Sequence, residues 1–143
     1  KIPEVRGWPE LRRFLEIVNA PTSPIESLGY EKGFFSVEDK GAITVKIGSY
    51  VDVAFSAETL NEEAANLLRL AAVLMQSVEG CEKWWGSVEL GLQRLRVSGV
   101  VAPSWGLMIR VCNHGRNEDE ARLLWGDSLR LLGKAVTVLP PTV

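Results

Sequence analysis

The fold is decided by residues 42–55, which run Ala42-Ile43-Thr44-Val45-Lys46-Ile47-Gly48-Ser49-Tyr50-Val51-Asp52-Val53-Ala54-Phe55. Apolar and polar residues alternate on both sides of Gly48-Ser49, which is typical of strands that bury one face. Because glycine tolerates the positive φ of tight turns, this dipeptide predicts a turn between two strands, 42–47 and 50–55. A third alternating run, Gly33 to Glu38, precedes them, so the sequence predicts a three-stranded antiparallel meander.

Helical patterns lie on both sides of the meander. A first helix is expected from Pro9, a second from about Asn61, and a last from Asn117 to about Leu132, where Gly133 would end it. Two further strands are expected between the second and last helices, one from about Val88 to Ser98 and one with Leu107, Ile109 and Val111 on its core face. The predicted order is therefore α-β-β-β-α-β-β-α, an α+β fold with an antiparallel sheet and helices on one face.

Length and composition favour one globular domain over residues 1–143. Hydrophobic residues make up 46% and charged residues 24% of the 143-residue chain, which is enough to build a core. A shift of 56 residues superposes two strand–helix patterns, so the domain could consist of two related halves, about 33–80 and 88–134. No run of about 18 apolar residues or signal-peptide pattern is present, and we expect a cytoplasmic protein that does not enter the membrane.

The net charge of −2 conceals an uneven distribution along the chain. Acidic residues prevail in the first half, whereas no Asp or Glu occurs from Leu90 to Asn117. That acid-free stretch contains four arginines, namely Arg94, Arg96, Arg110 and Arg116. The overall charge excludes a strongly basic protein, but a local cationic surface is compatible with it.

The residue types needed for catalysis are scarce. His114 is the only histidine, and no serine or cysteine lies in a nucleophile-elbow motif. Cys81 and Cys112 fit no zinc-ligand spacing, and the glycines are scattered rather than gathered in a phosphate-binding loop. We therefore expect no catalytic residues, no metal site and no cofactor.

The predicted sheet face opposite the helices carries the most informative group of side chains. Arg94, Arg96 and Arg110 are expected there, joined by Lys46 from the meander. Phe34 and Tyr50 add aromatic surfaces. Cations near phosphates and aromatic rings that stack on bases together suit single-stranded nucleic acid, either DNA or RNA. Two alternatives are a solvated sheet face and a subunit interface.

These residues carry a resemblance to the archaeal ThermoDBP-like single-stranded DNA-binding proteins. The resemblance implies non-catalytic binding of single strands in an apolar cleft bordered by basic side chains. Carried over to this chain, Lys46, Arg94, Arg96 and Arg110 would border the cleft, and Phe34 or Tyr50 would line it.

The order of elements from Trp8 to Leu132 also resembles that of the class I type III secretion chaperones. That resemblance implies a dimer that holds an extended partner polypeptide. A homodimer or higher homo-oligomer is expected in either case, because an open sheet has exposed edges.

Overall fold

The computed structural model describes residues 7–39, 42–79, 86–95 and 103–139. Its regular elements, in chain order, are α1 (Pro9–Val18), β1 (Ile25–Asp39), β2 (Ala42–Phe55), a 3-10 turn (Glu58–Glu62), α2 (Ala64–Gln76), β3 (Gly86–Leu95), β4 (Ser104–Gly115) and α3 (Glu118–Thr137). The predicted α+β class, the antiparallel sheet and the order of helices and strand groups are confirmed. None of the described helices is long and apolar enough to cross a membrane.

The sheet has the strand order β1-β2-β4-β3, and every neighbouring pair is antiparallel. Since β2 and β3 both run antiparallel to β4, they are parallel to each other. The connection between them therefore crosses over β4, and α2 lies in that connection. In the described part of the chain, β1 and β3 are the two edges of the sheet.

The first strand group differs from the prediction at Gly48-Ser49, where the chain does not turn. Residues 42–55 form the single strand β2, so the described sheet has four strands. Ser49 is buried opposite Val111, and its hydroxyl accepts a hydrogen bond of 2.8 Å from the indole N–H of Trp125 in α3. A turn here would leave that buried N–H without an acceptor, which costs about 1–3 kcal/mol.

The helices cover one face of the sheet. α3 packs on β2 and β4, α1 packs on α3 and β1, and α2 packs on β3 and β4. The alternation of β2 and β4 directs Val51 and Val53, with Leu107 and Ile109, into the core beneath these helices. We call this the helix-covered face and the other side, which carries Lys46, Tyr50, Asp52, Arg110 and His114, the open face.

α3 continues through Gly133, where the sequence predicted its end, and extends to Thr137. Gly133 is buried in the helix, and a Cβ there would lie 3.1 Å from Cδ1 of Ile17 in α1. The glycine thus allows close packing between α1 and α3 rather than ending a helix.

Candidate nucleic-acid interface

Four polar or aromatic side chains lie together on the open face of β2 and β4. The register pairs Lys46 with His114 and Tyr50 with Arg110, and directly opposed residues share a face of the sheet. The two pairs are four residues apart along the strands, about 13 Å. We call these four residues the open-face quartet.

The floor between the two pairs is formed by small residues. Gly48 pairs with Cys112 midway between the Lys46–His114 and Tyr50–Arg110 positions. Cys112 is buried, and Gly48 has no side chain. The quartet therefore stands at the corners of a strip of sheet whose middle holds a glycine and one small, buried side chain.

Three of the predicted site residues are brought together by this arrangement. Lys46, Tyr50 and Arg110 belong to the quartet, and Arg110 is exposed. Arg96 and the side chain of Phe34 lie outside the described parts of the structure. In the backbone register Phe34 is paired with Ile47, a core residue, whereas the residue of β1 paired with Tyr50 is Glu31. The register therefore does not bring Phe34 next to Tyr50.

Arg94 is placed on the opposite face from Arg110, so the prediction that they share the open face is wrong. In β3 the core positions are Val88 and Leu90, and Arg94 follows the same alternation. It stands opposite Trp105 on the helix-covered face. Arg94 stays exposed because it lies near the end of the edge strand.

His114 is a member of the quartet that was not among the site residues predicted from the sequence. Its position is two residues beyond Cys112 and four beyond Arg110, so the same alternation places all three on the open face. That alternation was available in the sequence, but the cross-strand pairing with Lys46 was not.

Carboxylates from the neighbouring strands flank the quartet. Glu31 of β1 stands opposite Tyr50, and Glu89 of β3 stands opposite Arg110. The stretch from Leu90 to Asn117 contains no acid, but in the folded sheet the adjacent strands place carboxylates beside its residues. The open face is a mixed surface, with cations and carboxylates side by side.

Two groups on this face have shifted pKa values. The charge of Glu31 and a hydrogen bond to its carboxylate, together with partial desolvation, raise the pKa of Tyr50. Burial raises the pKa of Asp52, whose Oδ1 is enclosed and accepts no hydrogen bond from the described residues. Tyr50 is therefore a neutral, aromatic hydrogen-bonding group at physiological pH.

Within the described ranges, no three His, Cys, Asp or Glu side chains gather into an arrangement that could hold a metal ion. Comparison of the chain with protein-family models, with curated proteins and with solved structures finds no match.

Proposed function

We propose that the protein binds single-stranded nucleic acid on the open face, without catalysing a reaction. The observation that carries this proposal is the cross-strand adjacency of Tyr50 with Arg110 and of Lys46 with His114 across a small-residue floor. The proposal includes a homodimer or higher homo-oligomer and a cytoplasmic location, the latter testable by cell fractionation.

The chemistry of the quartet suits a flexible strand better than a duplex. Tyr50 offers a ring on which a base can stack, and the planar guanidinium of Arg110 can stack or contact phosphate. Lys46 supplies a second positive charge about 13 Å away along the sheet. The flanking carboxylates Glu31 and Glu89 oppose dense phosphate charge, so they disfavour a duplex more than a single strand.

Salt dependence provides the quantitative test. With Lys46 and Arg110 charged, the slope of log K against log salt for a single strand is expected to be about −1.4. The double variant Lys46→Ala/Arg110→Ala should bring this slope close to zero and weaken binding of fluorescent oligo-dT, measured by anisotropy. Tyr50→Ala should weaken binding by about 1–3 kcal/mol with little change in slope.

Arg94→Ala is the matched control, because it removes an exposed arginine from the other face of the same sheet. It should leave affinity and slope nearly unchanged. Tight binding with an unchanged slope in the double variant would exclude the proposed site, and the absence of binding to the wild-type protein even at low salt would exclude the function.

A second candidate function is that of a dimeric, chaperone-like adaptor that holds an extended polypeptide. It is favoured by the exposed apolar side chains of α2, where Leu68 is 55% and Val73 is 36% exposed. Binding of this kind would change little with salt and would not depend on Lys46 or Arg110. The same anisotropy experiment with a labelled unfolded peptide separates the two functions.

A further inference from the structure

Among the described residues, two features on the same side of the molecule have no partner, namely the outer edge of β3 and the outer flank of α2. In the described sheet β3 has β4 as its one neighbour. α2 packs on β3 and β4, and α3 lies on its inner side, over β4 and β2. α2 is therefore the outermost described helix on the β3 side.

The edge of β3 is less protected than the edge of β1, because it has no register shift and carries two charged residues, Glu89 and Arg94. β1 has a register shift between Ser27 and Gly29, and it carries several charged residues. Bulges and charges of this kind discourage pairing with another strand. β3 pairs with β4 over ten residues without a register shift. Its middle residues, Leu90 to Leu92, carry no charge, so this edge can accept another strand.

The flank of α2 nearest this edge is apolar. A right-handed crossover between β2 and β3, the hand that such connections almost always have, turns one helical stripe toward the β3 edge. That stripe consists of Ala64, Leu68, Ala71 and Met75. Leu68 is its exposed member, at 55%, whereas Ala71 and Met75 pack partly against the core. Leu92, which is 37% exposed, lies on the helix-covered face of β3.

We propose that the β3 edge and the α2 flank together bind a second copy of this chain. An extended peptide would satisfy the backbone groups of the edge but would leave the helix flank bare, whereas an unrelated helix would do the reverse. A second copy related by a two-fold axis brings both a strand and a helix, so it covers both features at once. The two sheets then join into one eight-stranded antiparallel sheet.

The sequence of β3 suits antiparallel self-pairing centred on Gly91. In that register Leu90 stands opposite Leu92 of the partner subunit, on the side of the helices. On the open face Glu89 stands opposite Gln93 of the partner subunit, so no like charges oppose each other directly. The open faces of both subunits become one continuous surface, which would carry two quartets. The interface rests on the proposed homodimer and not on nucleic-acid binding.

Disulfide trapping tests the strand contact directly. Opposed residues of an antiparallel pair have Cα atoms about 4.5–5.5 Å apart, within the range of a disulfide. In a Cys81→Ser background, Gly91→Cys should form a covalent dimer under mild oxidation. Gly33→Cys is the matched control, a glycine on the opposite edge strand where a Cβ would meet no described atom within 4 Å. Within the described ranges, a Cβ at Gly91 would meet only Met108 within 4 Å, at 3.4 Å or more, so the variant is expected to fold.

Sedimentation velocity without nucleic acid tests the helix contact. Leu68→Glu should raise the dimer dissociation constant at least tenfold, whereas Leu123→Glu, at a 67% exposed leucine on α3, should leave it unchanged. The proposal is overturned if the wild-type protein is still a monomer at 100-fold the protein concentration used in the oligo-dT anisotropy experiment. It is also overturned if Gly91→Cys cross-links no faster than Gly33→Cys. It is equally overturned if Leu68→Glu remains as dimeric as Leu123→Glu. None of these measurements depends on whether oligo-dT binds, so the interface and the nucleic-acid function fail separately.

Discussion

At the scale of single residues, Asp52 is the charged side chain of the open face whose surroundings stabilise it least. Its neighbours in the same row are Gly29 of β1 and Met108 of β4, neither of which offers a side-chain donor. Burial raises its pKa, and Oδ1 accepts no hydrogen bond from the described residues. The native structure therefore favours the protonated form of this carboxyl more than the unfolded chain does.

The consequence is a stability difference that depends on pH. Because the pKa of Asp52 is raised in the folded state, its contribution to stability is most favourable below pH 3.8, the ordinary pKa of the carboxyl. That contribution is lost as pH rises through the higher folded pKa. Asp52→Asn should therefore raise the free energy of unfolding by about 1 kcal/mol at pH 7, with little change near pH 3. Thermal denaturation at both pH values measures this difference. Glu26→Gln, at an exposed carboxylate of β1, is the control and should have almost no effect, and equal effects of the two variants would contradict the argument.

At the scale of elements, the start of α3 is fixed by side chains that the sequence displays. The Asn117 Oδ1 atom accepts the backbone N–H of Glu120 at 2.9 Å, and the Glu120 carboxylate accepts the backbone N–H of Arg116 at 3.1 Å. The first bond supplies an acceptor for an N–H group that a helix start leaves unpaired, and the second holds the Glu120 side chain against the residue that precedes the cap. The hydrogen bonds from Arg116 also lower the pKa of Glu120.

Removing this cap should shorten or weaken α3 without altering the sheet. Asn117→Ala is expected to lower the free energy of unfolding by about 1 kcal/mol, because one N–H loses its acceptor. Asn117→Asp retains an acceptor and should be close to wild type. Urea denaturation followed by circular dichroism measures both variants, and a loss of the same size in Asn117→Asp would show that the cap is not the cause.

The elements also show which structural features a sequence can predict. α1 and the start of α3 were predictable because their signals, an apolar stripe and capping residues, act within a few positions. Gly48 and Gly133 were misinterpreted because glycine serves turns and close packing alike, and only tertiary contacts distinguish the two. The indole of Trp125 on Ser49 and the side chain of Ile17 near Gly133 are such contacts.

The candidate site was predictable to the same extent. Alternation within β2 and β4 correctly placed Lys46, Tyr50 and Arg110 on one face, because the pattern is local to each strand. The face of Arg94 depends on where the core positions of β3 begin, and the positions of Glu31 and Glu89 beside the quartet depend on pairing between strands. Register is set by long-range packing, and for that reason the acids beside the cations were not foreseen.

At the scale of the whole molecule, a cluster of side chains joins the first helix to the last, from the buried Trp125 to the partly exposed pair of Arg122 and Glu10. The guanidinium of Arg122 donates to both carboxylate oxygens of Glu10, at 2.7 and 2.9 Å, and stacks 4.7 Å from the ring centroid of Trp8. Trp8 in turn makes an edge-on contact with Trp125, with ring centroids 5.8 Å apart. The cluster connects residues more than one hundred positions apart in the chain, so it forms only when α1 docks on α3.

This docking should give the protein an acid-sensitive component of stability. The hydrogen bond from Arg122 lowers the pKa of Glu10. The contribution of the pair to stability is therefore present above pH 4.5, the ordinary pKa of the carboxyl, and is lost as pH falls through the lower folded pKa. Glu10→Gln is expected to cost about 1 kcal/mol at pH 7, allowing for partial exposure of the pair, and the difference from wild type should vanish near pH 2.

Glu16→Gln is the matched control for Glu10→Gln, because it breaks an exposed pair with Arg12 on the same helix. Exposed pairs of this kind contribute little, so its effect should stay below about 0.5 kcal/mol at every pH. Urea denaturation followed by tryptophan fluorescence would measure both variants from pH 2 to 7. A Glu10→Gln loss that does not change with pH would mean that the carboxylate charge is not what holds α1 to α3, and that packing around Trp8 alone docks the first helix.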